Sequence, residues 1–277
     1  MAWIKTPEGQ RKVNGNMLVV AGATGRVEFR SERPTWVPIK GKPVELESGL
    51  WAVTVTPTGP VAFAPDGLPW MLRDGEFVEA APKPEGFTPR ERTTAGWDPT
   101  RQATVLMSGR PAKGKAKLKD AWAFDGKTMT KLAIKPAVQI VDGEAAFSPA
   151  LGALVVAGGS VHWKSDPSPT YELRGDATST FGPAPKWKWR SIYLATDPTS
   201  GLVVATANIQ VFGADGNAAV YLGNGKWRAL PTAPAFTSAV WFDPTTRSLR
   251  ATVRTGATWS KSWSEHTCAI GDLLDAS

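Results

Sequence analysis

Only two histidines, His162 and His266, occur in this 277-residue chain, about a hundred residues apart. A zinc or copper site built on imidazole needs two or three of them, so no metal or other cofactor is expected. His162 beside Trp163 could move a proton near neutral pH, although an ordinary surface histidine is the plainer reading. The segment Trp263-Ser264-Glu265-His266-Thr267-Cys268 sets a hydroxyl, a carboxylate, an imidazole and a thiol side by side, yet strand alternation would send neighbours to opposite faces. Arg174-Gly175-Asp176 matches an adhesion tripeptide and reads as a chance match at a turn. No nucleophile elbow, phosphate loop or dinucleotide fingerprint opens a helix. Asp74, Asp98, Asp125, Asp176, Asp197, Asp243 and Asp272 sit at turns, where paired carboxylates could hydrolyse a glycosidic bond. Their commoner task is to cap their own turns. No catalytic residue is assigned.

The elements that must carry these side chains repeat. A short apolar run closed by Asp-Pro-Thr or a close variant places Asp98, Ser148, Asp197 and Asp243 at spacings of 50, 49 and 46 residues. A period of that size predicts an array of like units. Unit five divides into Ile192 to Ala195, Leu202 to Ala205, Ala218 to Leu222 and Trp227 to Leu230, each a β-branched or aromatic run between turn residues. Unit three offers Val105 to Met107, Asp120 to Phe124 and Met129 to Ile134. Unit one retains Leu18 to Gly22, with Ala21-Gly22 ending a second strand, and Thr35 to Pro38, with Trp36 in the place of Trp227. Unit six reaches Cys268 to Asp272 as its third strand and then stops. Trp3-Ile4-Lys5-Thr6-Pro7 matches Trp227-Arg228-Ala229-Leu230-Pro231, so the amino-terminal strand is expected to complete that last sheet and close the ring.

The reading is therefore all-β: a six-bladed β-propeller forming one domain over 1–277. Its blades fall near 10–45, 48–92, 93–138, 142–190, 191–236 and 237–277, the last completed by 2–8. The Asp-Pro turns, Gly158-Gly159, the Asp120 to Gly126 segment and the Trp227 position together resemble the kelch-type β-propellers. Gly-Gly is complete only in unit four; units one, three and five have Ala21-Gly22, Ser108-Gly109 and Thr206-Ala207. The resemblance implies an architecture that hosts enzymes, lectins and scaffolds alike. The copper oxidases of kelch-like build have His and Tyr ligands with no counterparts here.

Thirteen tryptophans invite a binding role. Trp3, Trp36 and Trp227, with Phe77, share one repeat position and are expected between sheets. Trp51, Trp70, Trp97, Trp122 and Trp241 fall in strands, as core or strand-face residues. Trp163, Trp187, Trp189, Trp259 and Trp263 lie outside that pattern. They fall in connections between second and third strands or between units, which antiparallel order would put on one face. Lys164 and Arg190 accompany them, and the run Arg110, Lys113, Lys115, Lys117 and Lys119 joins the same face. Indoles interleaved with cations make a contact surface, although the lysines alone could be a solvated hairpin and Trp187 and Trp189 could point inward. The turn aspartates would make the opposite face acidic.

Composition sets the outer bounds. Forty-two per cent apolar and 21% charged residues describe a globular protein. The net charge of +7 favours acidic partners. No signal segment or membrane span is expected. The single Cys268 fits a reducing cytoplasm. The functional expectation is a non-enzymatic scaffold holding an acidic protein surface. A lectin stacking its tryptophans on sugars comes second, nucleic-acid binding third, and a carboxylate-based enzyme last.

Overall fold

Runs of Val, Ile, Thr and aromatics, four to eight residues long and cut by Gly, Pro and Asp, leave room for strands and nothing longer. The computed structural model describes 52–207 apart from 75, 112–117, 135–137, 161–168 and 183–191, and then 218–230, 237–243, 248–255 and 262–269. Before 52 it describes residue 40 and the strands named next. Among the described residues there is no helix, and none long and apolar enough to cross a membrane.

In chain order the strands begin with β1 (Ile4–Lys5) and β2 (Arg11–Lys12). Four follow in β3 (Met17–Gly22), β4 (Gly25–Arg30), β5 (Arg33–Pro38) and β6 (Val44–Glu45). The next four are β7 (Ala52–Thr56), β8 (Gly59–Phe63), β9 (Pro69–Arg73) and β10 (Glu76–Glu79). Then come β11 (Arg90–Glu91), β12 (Thr94–Asp98), β13 (Ala103–Met107), β14 (Arg110–Pro111), β15 (Ala121–Phe124) and β16 (Met129–Leu132). Four more are β17 (Val141–Ser148), β18 (Ala153–Ser160), β19 (Thr170–Arg174) and β20 (Ala177–Phe181). The last are β21 (Ile192–Thr196), β22 (Val203–Ala207), β23 (Ala218–Tyr221), β24 (Trp227–Ala229), β25 (Thr237–Asp243), β26 (Ser248–Thr255) and β27 (Ser262–Ala269).

Five sheets are antiparallel and four-stranded in simple up-and-down order, starting from β3, β7, β12, β17 and β21. The sheet that starts from β25 continues through β26 and β27 and takes β1 at its far edge, Ile4 opposite Thr267, with β2 pairing further along β27. The first strands lie against one another in sequence: β3 on β7, β7 on β12, β12 on β17, β17 on β21, β21 on β25, and β25 on β3. The core is accordingly between sheets. Val105, Met107 and Ala121 of the third sheet pack on Leu154, Val156, Tyr171 and Leu173 of the fourth. Ala195, Val204 and Val220 of the fifth pack on Val240 and Leu249 of the sixth.

The recurring Asp-Pro-Thr phrase is a turn-closing device. The Asp98 carboxylate accepts bonds from the Thr100 backbone N–H at 2.9 Å and hydroxyl at 2.6 Å. Asp197 does the same for the Thr199 and Ser200 amides and the Ser200 hydroxyl. Both aspartates are buried, as Asx turns of this kind permit because the ring of amide donors satisfies the charge. Ser148 breaks the phrase for a reason that only packing reveals. Its Oγ donates to the Gly201 carbonyl of the next sheet's turn at 2.6 Å, and a carboxylate there would meet that carbonyl oxygen with no proton to share. Of the turn aspartates expected to make an acidic face, Asp176 pairs with Arg101 and Asp243 with Arg250.

Three strand assignments change. Leu18 to Gly22 belongs to β3, a first strand, so Ala21-Gly22 ends at the turn into β4 and is no counterpart of Gly158-Gly159. Trp36 lies on β5, a third strand, and not at the Trp227 position. Cys268 to Asp272 does not define the last third strand: β27 begins at Ser262, and the eight residues of β26 give it a partner along its whole length. Trp263 is thus in a strand, between Arg254 and Arg11, and not in a loop.

One buried charge ties the second sheet's exit to the third. Arg90 has no exposed side-chain surface, makes two bonds to the Asp120 carboxylate at 2.7 and 2.8 Å, and stacks 4.6 Å from the Phe87 ring centre. Trp122 Nε1 donates to the same carboxylate. Removing one partner of such a pair strands the other. Arg90→Ala is expected to lower unfolding stability by about 3 kcal/mol in chemical denaturation; a loss under about 1 kcal/mol would show that the pair is incidental.

Candidate functional site

Two sheets carry the same unusual backbone at the loop ends of their first strands. Arg92 and Asp142 stand six residues before Asp98 and Ser148, and each has φ of +57°. Opposite them, Ser108-Gly109 (φ +54° and +93°) just after β13 and Gly158-Gly159 (φ +77° and +67°) near the end of β18 stand at matching positions. Glycine is needed at the second place of each pair. A Cβ on Gly159 would lie 2.3 Å from the Val141 carbonyl oxygen, and one on Gly109 2.8 Å from that of Glu91. Left-handed residues away from simple turns are strained backbone, which concentrates where a structure does something besides fold. The diglycine position singled out in the sequence has its physical cause here.

The two loop ends are joined. The Asp142 amide donates to the Arg92 carbonyl at 3.1 Å. Arg92 Nε donates to Asp142 Oδ1 at 2.8 Å, and its Nη2 to Oδ2. The Gly109 amide donates to the Ile140 carbonyl, and the Ser108 hydroxyl to that of Val138.

Two residues into the strand from Asp142 stands Glu144. On β17 the odd positions face β12: a Cβ on Gly96 would meet that of Ala145 at 2.8 Å, and one on Gly143 would meet the Thr94 hydroxyl. Ala146 packs on the other side, with Leu194 and Tyr221. Alternation turns Glu144 to that second side, toward β21. It is half-buried and opposite Ala157. Burial pushes its carboxyl up to about 7, and among the described residues no hydrogen bond or opposite charge offsets the loss of water.

Glu172, on the third strand of the same sheet, shows what a structural glutamate looks like here. Its carboxylate accepts from the Tyr221 hydroxyl at 2.6 Å, the Asn224 amide at 2.7 Å and Arg174 at 2.9 Å. Burial would raise it, but those bonds outweigh burial and hold it below the usual range. Burial, together with Glu172, pushes the Tyr221 phenol upward. One glutamate is fully answered by the fold and the other is left unanswered. Groups whose environments separate their proton affinities in this way mark acid–base assignments.

Of the residues first considered for binding, Trp163, Trp187, Trp189, Trp259, Lys113, Lys115, Lys117, Lys164 and Arg190 lie outside the described residues. Lys119 is exposed just before β15. Arg110 is not part of a free loop: it sits on β14, paired with Glu91 of β11. Glu144 escaped the sequence reading, although one signal was present. In the frame set by Asp98, Ser148 and Asp197 it occupies the place of Thr94 and Tyr193, an ionisable side chain within a run, Gly143 to Ser148, otherwise apolar or small. Among the described residues no three His, Cys, Asp or Glu side chains gather as metal ligands.

The sheets and their order define a propeller-like all-β fold. No family model matches the chain, and no curated protein matches it in sequence. Solved structures do. A gluconolactonase from Xanthomonas campestris is similar over 97% of this chain and 98% of its own, with TM-score 0.61 and 12% identity. A protein of unknown function from Bacteroides thetaiotaomicron is similar over 95% and 72%, with TM-score 0.55 and 10% identity. Kuenenia stuttgartiensis hydrazine synthase is similar over 86% and 79%, with TM-score 0.54 and 9% identity. At such identities the likeness is one of fold, and it does not single out the kelch type. It does correct the expectation of a non-enzymatic scaffold for an acidic partner. That expectation leaned on a lack of catalytic residues, while the gluconolactonase is an enzyme of this fold over nearly its whole length.

A carboxyl whose folded value is raised weakens the fold as pH climbs from its unfolded value near 4.5 to about 7, and the penalty then stays constant. Glu144→Gln removes it. The variant should be more stable than the parent at pH 8, by up to about 3 kcal/mol, and equal to it at pH 4. Equal melting curves at both values would place Glu144 in ordinary solvent.

Proposed function

We propose that this protein is a hydrolase of uncharged carboxylic esters, lactones first among them, with Glu144 as its general base. The observation that carries the reading is the position of Glu144: a carboxylate with no partner among the described residues, on a first strand, two residues from a strained loop end. A base at that position takes a proton from water while the oxygen adds to the carbonyl carbon. The tetrahedral adduct then expels the ring oxygen, which takes the proton back from Glu144, and the product is a hydroxy acid. The carboxyl value near 7 suits it to receive and return a proton at neutral pH. The Xanthomonas campestris gluconolactonase supports the choice of lactones, as a protein of similar fold named for that chemistry.

The finer architecture belongs to the same proposal: six blades in one domain, of degenerate kelch type, closed where the amino-terminal strand joins the last sheet. Pairing of β1 with β27 and contact of β25 with β3 support closure. Gly158-Gly159 supports the kelch relation. The lone Cys268 supports a reducing, cytoplasmic setting.

Hydrolysis of aldonolactones followed with a pH indicator tests the reading. The rate should rise with pH through about 7 and then level, and Glu144→Gln should lower kcat/KM by roughly 100-fold or more. An undiminished rate in that variant would remove Glu144 from the chemistry. Closure is tested separately: deleting residues 1–12 should lower the melting temperature, and the missing strand added as a peptide should restore part of the loss.

A further inference from the structure

The pair Arg92 and Asp142 has no part in the proposed chemistry, yet both residues hold left-handed backbone, and Asp142 stands two residues from Glu144 on β17. In a regular strand, residues two apart share a face. Asp142 would then set a second carboxylate beside Glu144. The left-handed φ at Asp142 breaks that relation, and its side chain reaches across the sheet boundary to the guanidinium of Arg92. The crossing is fixed at both levels, because the Asp142 amide also donates to the Arg92 carbonyl. Gly159 leaves room for the distortion where any side chain would strike the Val141 carbonyl. We infer that Arg92 is a positioning residue for the Glu144 site, holding the Asp142 carboxylate turned away and neutralised so that it does not stand as a second uncompensated acid beside Glu144.

Among the described residues the surrounding strands leave few other charges to do this. Against β17, β12 supplies only Asp98, which lies at the opposite end and is bound in its turn. β18 and β22 supply no titratable side chain, and β21 supplies Tyr193, level with Glu144. The inference rests on the reading of Glu144 as the working acid, but its test does not require turnover.

The experiment follows the Glu144 carboxyl by carbon NMR in the full chain, assigned by its loss in Glu144→Gln. Arg92→Met leaves Asp142 uncompensated, so Glu144 should titrate higher by roughly half to one pH unit, less at high salt. Arg92→Lys should restore most of the original value. Asp142→Asn leaves Arg92 uncompensated and should move the titration the other way. Shifts of opposite sign are not what a general loosening of the loop would produce. An unchanged titration in both Arg92→Met and Asp142→Asn overturns the inference, and Asp142→Asn alone decides it if Arg92→Met fails to fold. If the shifts appear while no lactone is hydrolysed, the positioning role stands and the catalytic reading falls.

Discussion

A four-stranded sheet with apolar residues on both faces can be buried only between two others, and everything else in this molecule depends on that constraint. It explains why Val105 and Leu106, adjacent on β13, are both fully buried, each packing into a different cluster. Alternation therefore separates one sheet boundary from the next rather than core from solvent. It also explains the few charges that cross boundaries. Arg90 with Asp120, Tyr221 with Glu172 and Arg92 with Asp142 each tie one sheet to the next.

Within that frame the molecule treats its two inner glutamates in opposite ways. Glu172 receives a phenol, an amide and a guanidinium, so its burial is compatible with charge. Glu144 receives nothing and holds its proton up to about pH 7. A carboxyl left without a partner among the described residues, beside left-handed backbone, gives up stability there, as functional sites commonly do.

Much of the frame was legible beforehand because its signals are local. Asp98 and Asp197 announce their turns through Thr and Ser two and three residues on, and the amino-terminal run announces its pairing by likeness to the strand at Trp227. Glu144 was not legible for the opposite reason. A glutamate on a strand is a surface residue by default, and what makes it unusual is a neighbour it lacks. Arg92 and Asp142 lie 50 residues apart in the chain, and no pattern of either alone foretells a matched left-handed turn. Trp263 reads as loop in the sequence because the third strand is expected to begin at Cys268, whereas β26 offers β27 a partner along its full length.

The sequence by itself determined the period, the all-β class and the turn chemistry, since each depends on the conformational preferences of residues a few places apart. Only the tertiary structure decided that Ser148 must donate to the Gly201 carbonyl, that Arg90 is buried with Asp120, and that Asp142 turns aside while Glu144 stays alone. Those outcomes depend on which sheet lies against which, and the free energy of a charge is fixed by what surrounds it rather than by what precedes it in the chain.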